Sequence, residues 1–196
     1  MSLIVAISGS PSSPSRSSAL ARHASKSLQA RGFELAAIEV RELPATELLT
    51  GRTSDPVIAA AIALIARADA VVVATPIYKA AYTGVLKAFL DLLPQFAFAG
   101  KVVLPLVTGG TIAHVLALDY ALRPVLVALG AQHIVNGLFV LDKTLAMSEQ
   151  GVALDADVEQ RLAGILDDLR SASPVDPLAR RPAHRHLSLG ARRDRG

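Results

Sequence analysis

Short apolar runs alternate with longer amphipathic segments between residues 3 and 172. The runs are rich in Val, Ile, Leu and Ala and have the length of buried strands. In the segments between them, apolar residues recur every three or four positions, which is the period of a helix. The pattern predicts five strands, at residues 3–7, 33–40, 70–75, 102–107 and 133–141. It also predicts five helices, at residues 16–31, 56–68, 84–93, 113–129 and 155–172.

Glycine and proline mark the expected ends of several elements. Gly32 and Gly130 follow the first and the fourth predicted helix, and glycine commonly ends a helix. Pro76 follows the third strand and is expected to stop it, because proline has no amide hydrogen for the sheet. Residues 43–56 are polar and mixed, so they predict a long loop.

The order of the elements indicates an α/β fold. The third apolar run has no polar alternation, so it predicts a central strand that is covered on both faces. Strands that alternate with helices predict a doubly wound, mainly parallel sheet. Such folds bind ligands beyond the carboxyl ends of the strands, where the strand order reverses. The loops after strands one, three and four are therefore the candidate binding loops.

Composition and charge narrow the class of protein. With 52% hydrophobic residues among 196, the chain can fill a core and is not mainly disordered. Residues 174–196 contain six Arg and two Asp, whereas residues 1–173 contain 14 Lys and Arg against 15 Asp and Glu. We predict one domain at 1–173 and a basic, disordered tail at 174–196. The tail has no aromatic residue to stack on bases, so nucleic-acid binding is not expected.

Several classes of site and location are not expected. The chain has no cysteine, which excludes disulfides, thiol nucleophiles and cysteine-based metal sites. No signal-peptide pattern stands at the N-terminus, and no apolar run is long enough to span a bilayer. We therefore expect a cytoplasmic protein with no metal site and no association with membranes.

The loop after the first strand is rich in serine and leads into a helix. Residues 8–18 read Ser-Gly-Ser-Pro-Ser-Ser-Pro-Ser-Arg-Ser-Ser. Amides at a helix N-terminus, serine hydroxyls and the Arg16 guanidinium are groups that bind phosphate. The glycine spacings of nucleotide-binding P-loops and of dinucleotide-binding folds are absent. The loop thus predicts a site for one terminal phosphate, as on a mononucleotide; the alternative is that its serines only cap the helix.

The other two loops combine groups that suit a flat heteroaromatic ring. The loop after strand three contains Pro76, Ile77, Tyr78 and Lys79. The loop after strand four contains Thr108, Gly109, Gly110 and Thr111, and its glycines allow a ligand close to the backbone. The alternatives are a tyrosine that packs on the next helix and a simple turn. His114 has no partner for acid–base or metal chemistry and is a candidate only for the ligand edge.

Four segments together resemble the NADPH-dependent FMN reductases. They lie at 8–18, 74–82, 104–111 and 119–125, and the resemblance covers roughly residues 3–172. The segment 119–125 points to the subgroup that serves two-component alkanesulfonate monooxygenases. The resemblance implies a flavodoxin-like fold with helices on both faces of a five-stranded parallel sheet of order 2-1-3-4-5.

The resemblance also implies roles for the candidate residues. The FMN phosphate would be held by Ser10, Ser15, Arg16 and Ser17. The ring would be lined by Pro76, Ile77, Tyr78 and Lys79. Its other edge would meet Thr108, Gly109, Gly110 and Thr111, with His114 nearby. Many members carry an Arg directly after Gly-Ser-Pro, where this chain has Ser12, so Arg16 would be the only fixed cation in the loop and the hold on phosphate would be weaker.

Tyr120 receives a separate role from the resemblance. In the alkanesulfonate subgroup, a tyrosine at the matching place forms a π-helical bulge at a tetramer interface. Tyr120 would then control whether FMN is exchanged as a substrate or retained as a prosthetic group. The alternative is an ordinary core or interface aromatic in a regular helix.

The implied activity needs no catalytic side chain, because the cofactors carry the reaction. NADPH would pass a hydride to FMN, and reduced FMN would leave for a partner monooxygenase that serves sulfur acquisition. The protein would be a homotetramer or a dimer. Three alternatives remain: a quinone, azo-dye or chromate reductase with tightly bound FMN, a non-enzymatic electron carrier of the flavodoxin type, and an α/β nucleic-acid binder that uses the tail.

Overall fold

A mainly parallel sheet runs through the centre of the protein. The computed structural model describes residues 2–148 and 151–173, so the tail predicted at 174–196 lies outside the described residues. The strands of the sheet are β1 (Leu3–Ser8), β2 (Glu34–Glu39), β3 (Ala70–Tyr78), β4 (Ala81–Tyr82), β5 (Val102–Gly109), β6 (His133–Ile134) and β7 (Leu138–Leu141). Their order is β2-β1-β3-β5, and both β6 and β7 pair with β5 at the far edge. The expected order 2-1-3-4-5 is confirmed, because β5 is the fourth predicted strand and β6 and β7 together make the fifth.

Helices cover both faces of this sheet. They are α1 (Arg16–Ala30), α2 (Ala45–Thr50), α3 (Pro56–Arg67), α4 (Gly84–Leu90), α5 (Arg123–Ala128) and α6 (Ala156–Ala172). The core on one face contains residues of α1 and α6, and the core on the other contains residues of α3, α4 and α5. The doubly wound α/β architecture predicted from the sequence is therefore confirmed.

β1 illustrates why the sheet has a core on each side. All six residues of this strand are buried. Val5 and Ile7 belong to the core with α3 and α4, whereas Ile4 and Ala6 belong to the core with α1 and α6. Successive residues of a strand point to opposite faces, so a strand covered on both sides must be apolar throughout. Each buried Val or Ile contributes about 1.5–3 kcal/mol.

The third strand is longer than predicted, because Pro76 does not stop it. β3 continues to Tyr78, and Pro76 pairs with Thr108 of β5. The neighbouring β1 ends at Ser8, opposite Ala74. Beyond that point β3 has no parallel neighbour on the β1 side, so the missing amide of Pro76 removes no hydrogen bond to β1.

Two residues with positive φ turn the end of β3 into β4. Lys79 has a φ of 51° and Ala80 a φ of 64°, and they form the two-residue loop between Tyr78 and Ala81. Positive φ at both central residues is typical of a tight hairpin turn, which usually contains Asn and Gly. In a residue with a Cβ this conformation costs roughly 1–2 kcal/mol. The hairpin must therefore be held by its contacts with neighbouring elements.

Part of the loop predicted at residues 43–56 is helical, so that prediction is wrong. β2 leads through a 3₁₀ turn (Val40–Glu42) into α2, which ends at Gly51 with a φ of 71°. Leu48 is the buried residue of α2. A helix with one buried side chain has too little apolar periodicity to be predicted from the pattern.

The predicted helix at 113–129 is divided into three pieces. A 3₁₀ turn (Ile112–His114) and a π-helix (Leu118–Leu122) precede α5. The Arg123 amide donates to the Leu118 carbonyl, five residues earlier, which is the hydrogen bond of a π-helix. The next residue is Pro124, which has no amide, so the wider turn leaves no donor without a partner at that position.

The fifth predicted strand is interrupted between β6 and β7. Gly137 lies in the interruption, and a Cβ there would be 2.6 Å from the Leu118 Cδ1. The missing side chain thus allows the π-helix to approach the sheet. After β7, a hairpin of β8 (Leu145–Ser148) and β9 (Gly151–Leu154), which the sequence pattern did not predict, packs against α1. A search of the described helices finds none with the length and apolar character of a membrane span.

Gly9 is the point at which the chain leaves β1, and little space is available there. Its amide donates to the Ala74 carbonyl at 2.8 Å, and a Cβ would lie 2.5 Å from the Leu86 Cβ. We expect Gly9→Ala to displace α4 and to lower the free energy of unfolding by about 2 kcal/mol, as overpacking does.

Urea titration measures this change, and Gly164→Ala is the matched control. Nothing lies within 4 Å of a Cβ at Gly164, which is exposed in α6. Alanine should stabilise that helix by up to about 1 kcal/mol. A Gly9→Ala protein as stable as the wild type would contradict the close packing of the loop on α4.

Candidate functional site

A cleft opens at the carboxyl ends of β1, β3, β5 and β7. It has a volume of about 250 Å³. Candidate residues from the sequence that line it are Ser10, Ser15, Arg16, Pro76, Ile77, Tyr78, Thr108, Gly109 and Gly110. Three further lining residues, which the sequence analysis did not select, are Ser12, Pro14 and Asp142. The cleft lies where a doubly wound fold places its ligand.

The serines of the first loop hold its shape as well as lining the cleft. Ser15 caps α1, and its Oγ accepts a hydrogen bond from the Ser18 amide at 3.2 Å. The Ser10 Oγ accepts from the Ser12 amide at 3.2 Å. Ser17 is buried, and its Oγ lies 3.2 Å from the Ser15 Oγ without lining the cleft. The two readings of the loop, helix caps and a ligand site, are thus compatible.

Two arginines lie beside the serine loop. Arg16 is exposed at the first position of α1, and within the described residues it forms no salt bridge. Arg41 follows β2, and its Nη1 donates to the Ser12 carbonyl at 2.6 Å. Arg41 is also 3.5 Å from the Glu39 Oε2. Arg16 is the one cation among residues 8–18, but Arg41 also contacts the loop, from the 3₁₀ turn that follows β2.

The β3–β4 hairpin forms the wall opposite the serine loop. Ile77 is buried, whereas Tyr78 is 48% exposed. The Tyr78 hydroxyl lies 3.4 Å from the Ser12 Oγ, so the ring lies over the cleft, in contact with the serine loop. Lys79 is exposed at the turn and does not line the cleft.

Thr83 connects the hairpin to the serine loop. Its hydroxyl donates to the Gly9 carbonyl, and its Oγ1 accepts from the Leu86 amide at 3.1 Å. The Thr83 amide in turn donates to the Thr75 Oγ1 at 3.3 Å. Burial raises the pKa of Tyr82, the partner of Ile77 in the hairpin.

Gly109 and Gly110, at the end of β5, each leave space for a different neighbour. β7 packs against Gly109, and the cleft opens beside Gly110. A Cβ at Gly109 would be 2.9 Å from the Phe139 Cζ, so this glycine is required by the packing of β7. A Cβ at Gly110 would meet nothing closer than the Asp142 Oδ2, at 3.9 Å. Gly110 therefore leaves backbone accessible in the cleft. Thr111 is exposed and caps the following 3₁₀ turn, which contains the half-buried His114, and neither residue lines the cleft.

The π-helix lies beside the hairpin and carries the most exposed aromatic side chain described. Tyr120 is 79% exposed, and the backbone of β4 packs against the π-helix. Further exposed apolar side chains are Ile112 and Leu116, which precede the π-helix, and Val127 of α5. The alternative of Tyr120 in a regular helix is wrong, because its backbone is in the π-helix.

The groups in the cleft fit a phosphorylated compound with a planar ring. One end supplies hydroxyls, helix-end amides and Arg16, which bind phosphate. The other end supplies an aliphatic side chain, a tyrosine and accessible glycine backbone. Among residues 2–148 and 151–173, no group of His, Asp and Glu could hold a metal. FMN is a compound of this shape and charge.

The comparisons with known proteins agree with this site. The family model described as NADPH-dependent FMN reductase matches residues 2–146. An FMN reductase (NADPH) of Pseudomonas putida KT2440 is 46% identical over 182 residues, which cover 92% of this chain and 90% of the relative. An FMN reductase (NADPH) of Escherichia coli K12 is 48% identical over 139 residues, or 71% of this chain and 73% of the relative.

A solved structure adds a match in three dimensions. The apo form of an NADH:FMN oxidoreductase (EMOB) has a TM-score of 0.84 and 45% identity, and the match covers 92% of this chain and 94% of that chain. The resemblance inferred from four sequence segments is confirmed. This chain belongs to the NADPH-dependent FMN reductase family, and it is an oxidoreductase whose cofactors are FMN and NADPH.

Proposed function

We propose that this protein reduces FMN with NADPH in the cytoplasm and releases the reduced flavin to a separate monooxygenase that desulfonates alkanesulfonates. The single observation that carries the proposal is the cleft itself, which has a phosphate-binding end, a ring-binding end and a half-exposed tyrosine between them and solvent. The residues that line the cleft would hold FMN, which would supply the redox chemistry as an acceptor of hydride from NADPH.

The serine loop would hold the FMN phosphate. Ser10 and Ser15 line the cleft, and the amides at the start of α1 are oriented by the Ser15 cap. Arg16 would add a charge-assisted hydrogen bond. Arg41 would stabilise the loop indirectly, because its hydrogen bond to the Ser12 carbonyl fixes the backbone that precedes the Ser15 cap.

The hairpin and the glycine loop would orient the ring. Ile77 is held rigidly by burial, and Gly110 leaves its backbone open to the ring edge. No side chain in the cleft is arranged as an acid–base pair, so the contribution of the chain is position and exclusion of water from one face of the ring. The exposed Tyr78 and Arg16 leave the cleft open enough for flavin to enter and leave.

We also propose that the reduced flavin passes to a monooxygenase and that the protein assembles into oligomers. The segment 119–125, which resembles the alkanesulfonate subgroup, is the π-helix and the start of α5. Within this segment Tyr120 is exposed, as are Leu116 just before it and Val127 just after it. Exposed apolar patches of this kind commonly form interfaces, so we propose a homotetramer or dimer that buries Tyr120.

The function is tested with protein from which flavin has been removed. We expect NADPH oxidation to depend on added FMN, and the product to support sulfite release from an alkanesulfonate when a monooxygenase of that class is added. The same assay with NADH, FAD and riboflavin measures the preference for each. FMN that stays bound through gel filtration, with ping-pong kinetics, would favour the quinone or azo reductase alternative. No NADPH oxidation with FMN would favour an electron carrier.

Arg16→Ala tests the phosphate end. The loss of a charge-assisted hydrogen bond at an exposed position should weaken FMN binding about tenfold, since such a bond contributes roughly 1.5 kcal/mol. Fluorescence titration of FMN gives the Kd. Arg161→Ala is the control, because Arg161 is equally exposed but lies in α6. Equal Kd values for the two variants would remove Arg16 from the site.

Tyr120→Ala tests the proposed link between the π-helix and flavin exchange. We expect the variant to purify with bound FMN, visible as a yellow colour, and to turn over added flavin more slowly than the wild type. Leu49→Ala removes exposed apolar area from α2, outside this patch, and serves as the control. A colourless Tyr120→Ala protein with wild-type kinetics would exclude the role, and sedimentation of both variants reports the oligomeric state.

A further inference from the structure

Asp142 is the acidic residue that lines the cleft. It follows β7 directly and begins a 3₁₀ turn (Asp142–Thr144). The residue is half-buried, and its Oδ2 lies 3.9 Å from the position of a Cβ at Gly110. The sequence analysis did not select it, because it follows the fifth strand rather than strand one, three or four.

No structural partner accounts for this carboxylate. Within residues 2–148 and 151–173, Asp142 has no salt bridge and its side chain makes no hydrogen bond. The other carboxylate beside the serine loop, Glu39, is 3.4 Å from the Arg22 Nη1 and 3.5 Å from the Arg41 Nη2. A half-buried carboxylate without a partner gains little for folding, so Asp142 is a candidate for a role toward the ligand.

The position of Asp142 in the sheet places it at the ring end of the cleft. β1, β3, β5 and β7 are successive neighbours, so β1 and β7 are about 14 Å apart at roughly 4.8 Å per strand. Arg16 stands at the β1 end and Asp142 at the β7 end. A ligand with its phosphate at the serine loop therefore has a cation at one end and a carboxylate near the other.

The two redox states of FMN differ in charge at that other end. The oxidised ring is neutral, whereas the two-electron-reduced ring is an anion at neutral pH. A carboxylate near the ring repels only the reduced form, and in an open cleft with a high effective dielectric constant this repulsion amounts to about a tenfold change in affinity.

We propose that Asp142 is a specificity-determining residue that weakens the binding of reduced FMN relative to oxidised FMN. This inference rests on the proposed flavin site. Reduction turns the neutral ring into an anion beside the Asp142 carboxylate. The same cleft can therefore bind oxidised FMN and still release reduced FMN. By linkage, a tenfold weaker binding of the reduced form lowers the midpoint potential of bound FMN by about 30 mV relative to free FMN.

The experiment compares Asp142→Asn, Asp142→Glu and Asp157→Asn with the wild type. Asn removes the charge at nearly constant shape, Glu retains it, and Asp157 is an exposed carboxylate of α6 that controls for net charge. Kd values are measured by titration for oxidised FMN in air and for chemically reduced FMN without oxygen. Midpoint potentials of bound FMN are an independent readout.

In Asp142→Asn we expect reduced FMN to bind about tenfold more tightly, with less than a twofold change for oxidised FMN. The midpoint potential should rise by about 30 mV. Asp142→Glu and Asp157→Asn should keep the wild-type ratio of the two Kd values. Raising the salt concentration should reduce the difference between Asp142→Asn and the wild type, because salt screens charges in an open cleft.

Two other results would overturn the inference. Equal changes in both Kd values would mean that Asp142 accepts a hydrogen bond from the ring or supports the loop, whatever the redox state. An unchanged ratio would mean that the carboxylate lies too far from the ring. If the wild type bound neither form of FMN, the proposed flavin site itself would be wrong, whereas the two results above would overturn the inference and leave the flavin site standing.

Discussion

The cleft exists because β3 and β5 extend further than β1. β1 ends at Ser8, opposite Ala74, whereas β3 continues to Tyr78 with β5 beside it as far as Thr108. The chain leaves β1 at Gly9, whose amide and carbonyl are bound by Ala74 and Thr83. This difference in strand length leaves a step at the edge of the sheet. The serine loop forms the floor of the step, and the β3–β4 hairpin forms its wall.

The sequence predicts the parts of the site that follow from burial. Strands covered on both faces must be continuous apolar runs, so the pattern located β1, β3 and β5 and, with them, the loops at their ends. The resemblance to the reductase family rests on the same loops. Nine of the candidate residues line the cleft for this reason.

Other parts depend on contacts between distant segments and could not be predicted from local patterns. Pro76 is tolerated within a strand only because β1 has already ended beside it. Arg41, just after β2, contacts the serine loop, and Asp142, just after β7, lines the cleft; single charged residues after a strand have no distinctive sequence pattern. The apolar spacing at 113–129 gives the buried face of a helix but not whether its turns are α, 3₁₀ or π.

The charge distribution in the cleft is consistent with the proposed release of the flavin. Residues 1–173 are nearly neutral, with 14 basic and 15 acidic residues, so no broad positive field holds an anion. In the proposed site, the phosphate would be held by a few hydroxyls, the helix N-terminus and Arg16, and of these groups the exposed Arg16 is screened most by solvent. An electron carrier that retains its flavin would be expected to bury more of these contacts.

The π-helix and the β3–β4 hairpin pack against each other. β4 packs against the π-helix, and Tyr82 lies against the core that contains Leu118 and Leu122. The turn of the hairpin has positive φ at Lys79 and Ala80, which costs free energy unless neighbouring contacts hold it. Tyr78 precedes that turn and lines the cleft. The π-helix is therefore joined to the wall of the cleft through β4, which pairs with the end of β3.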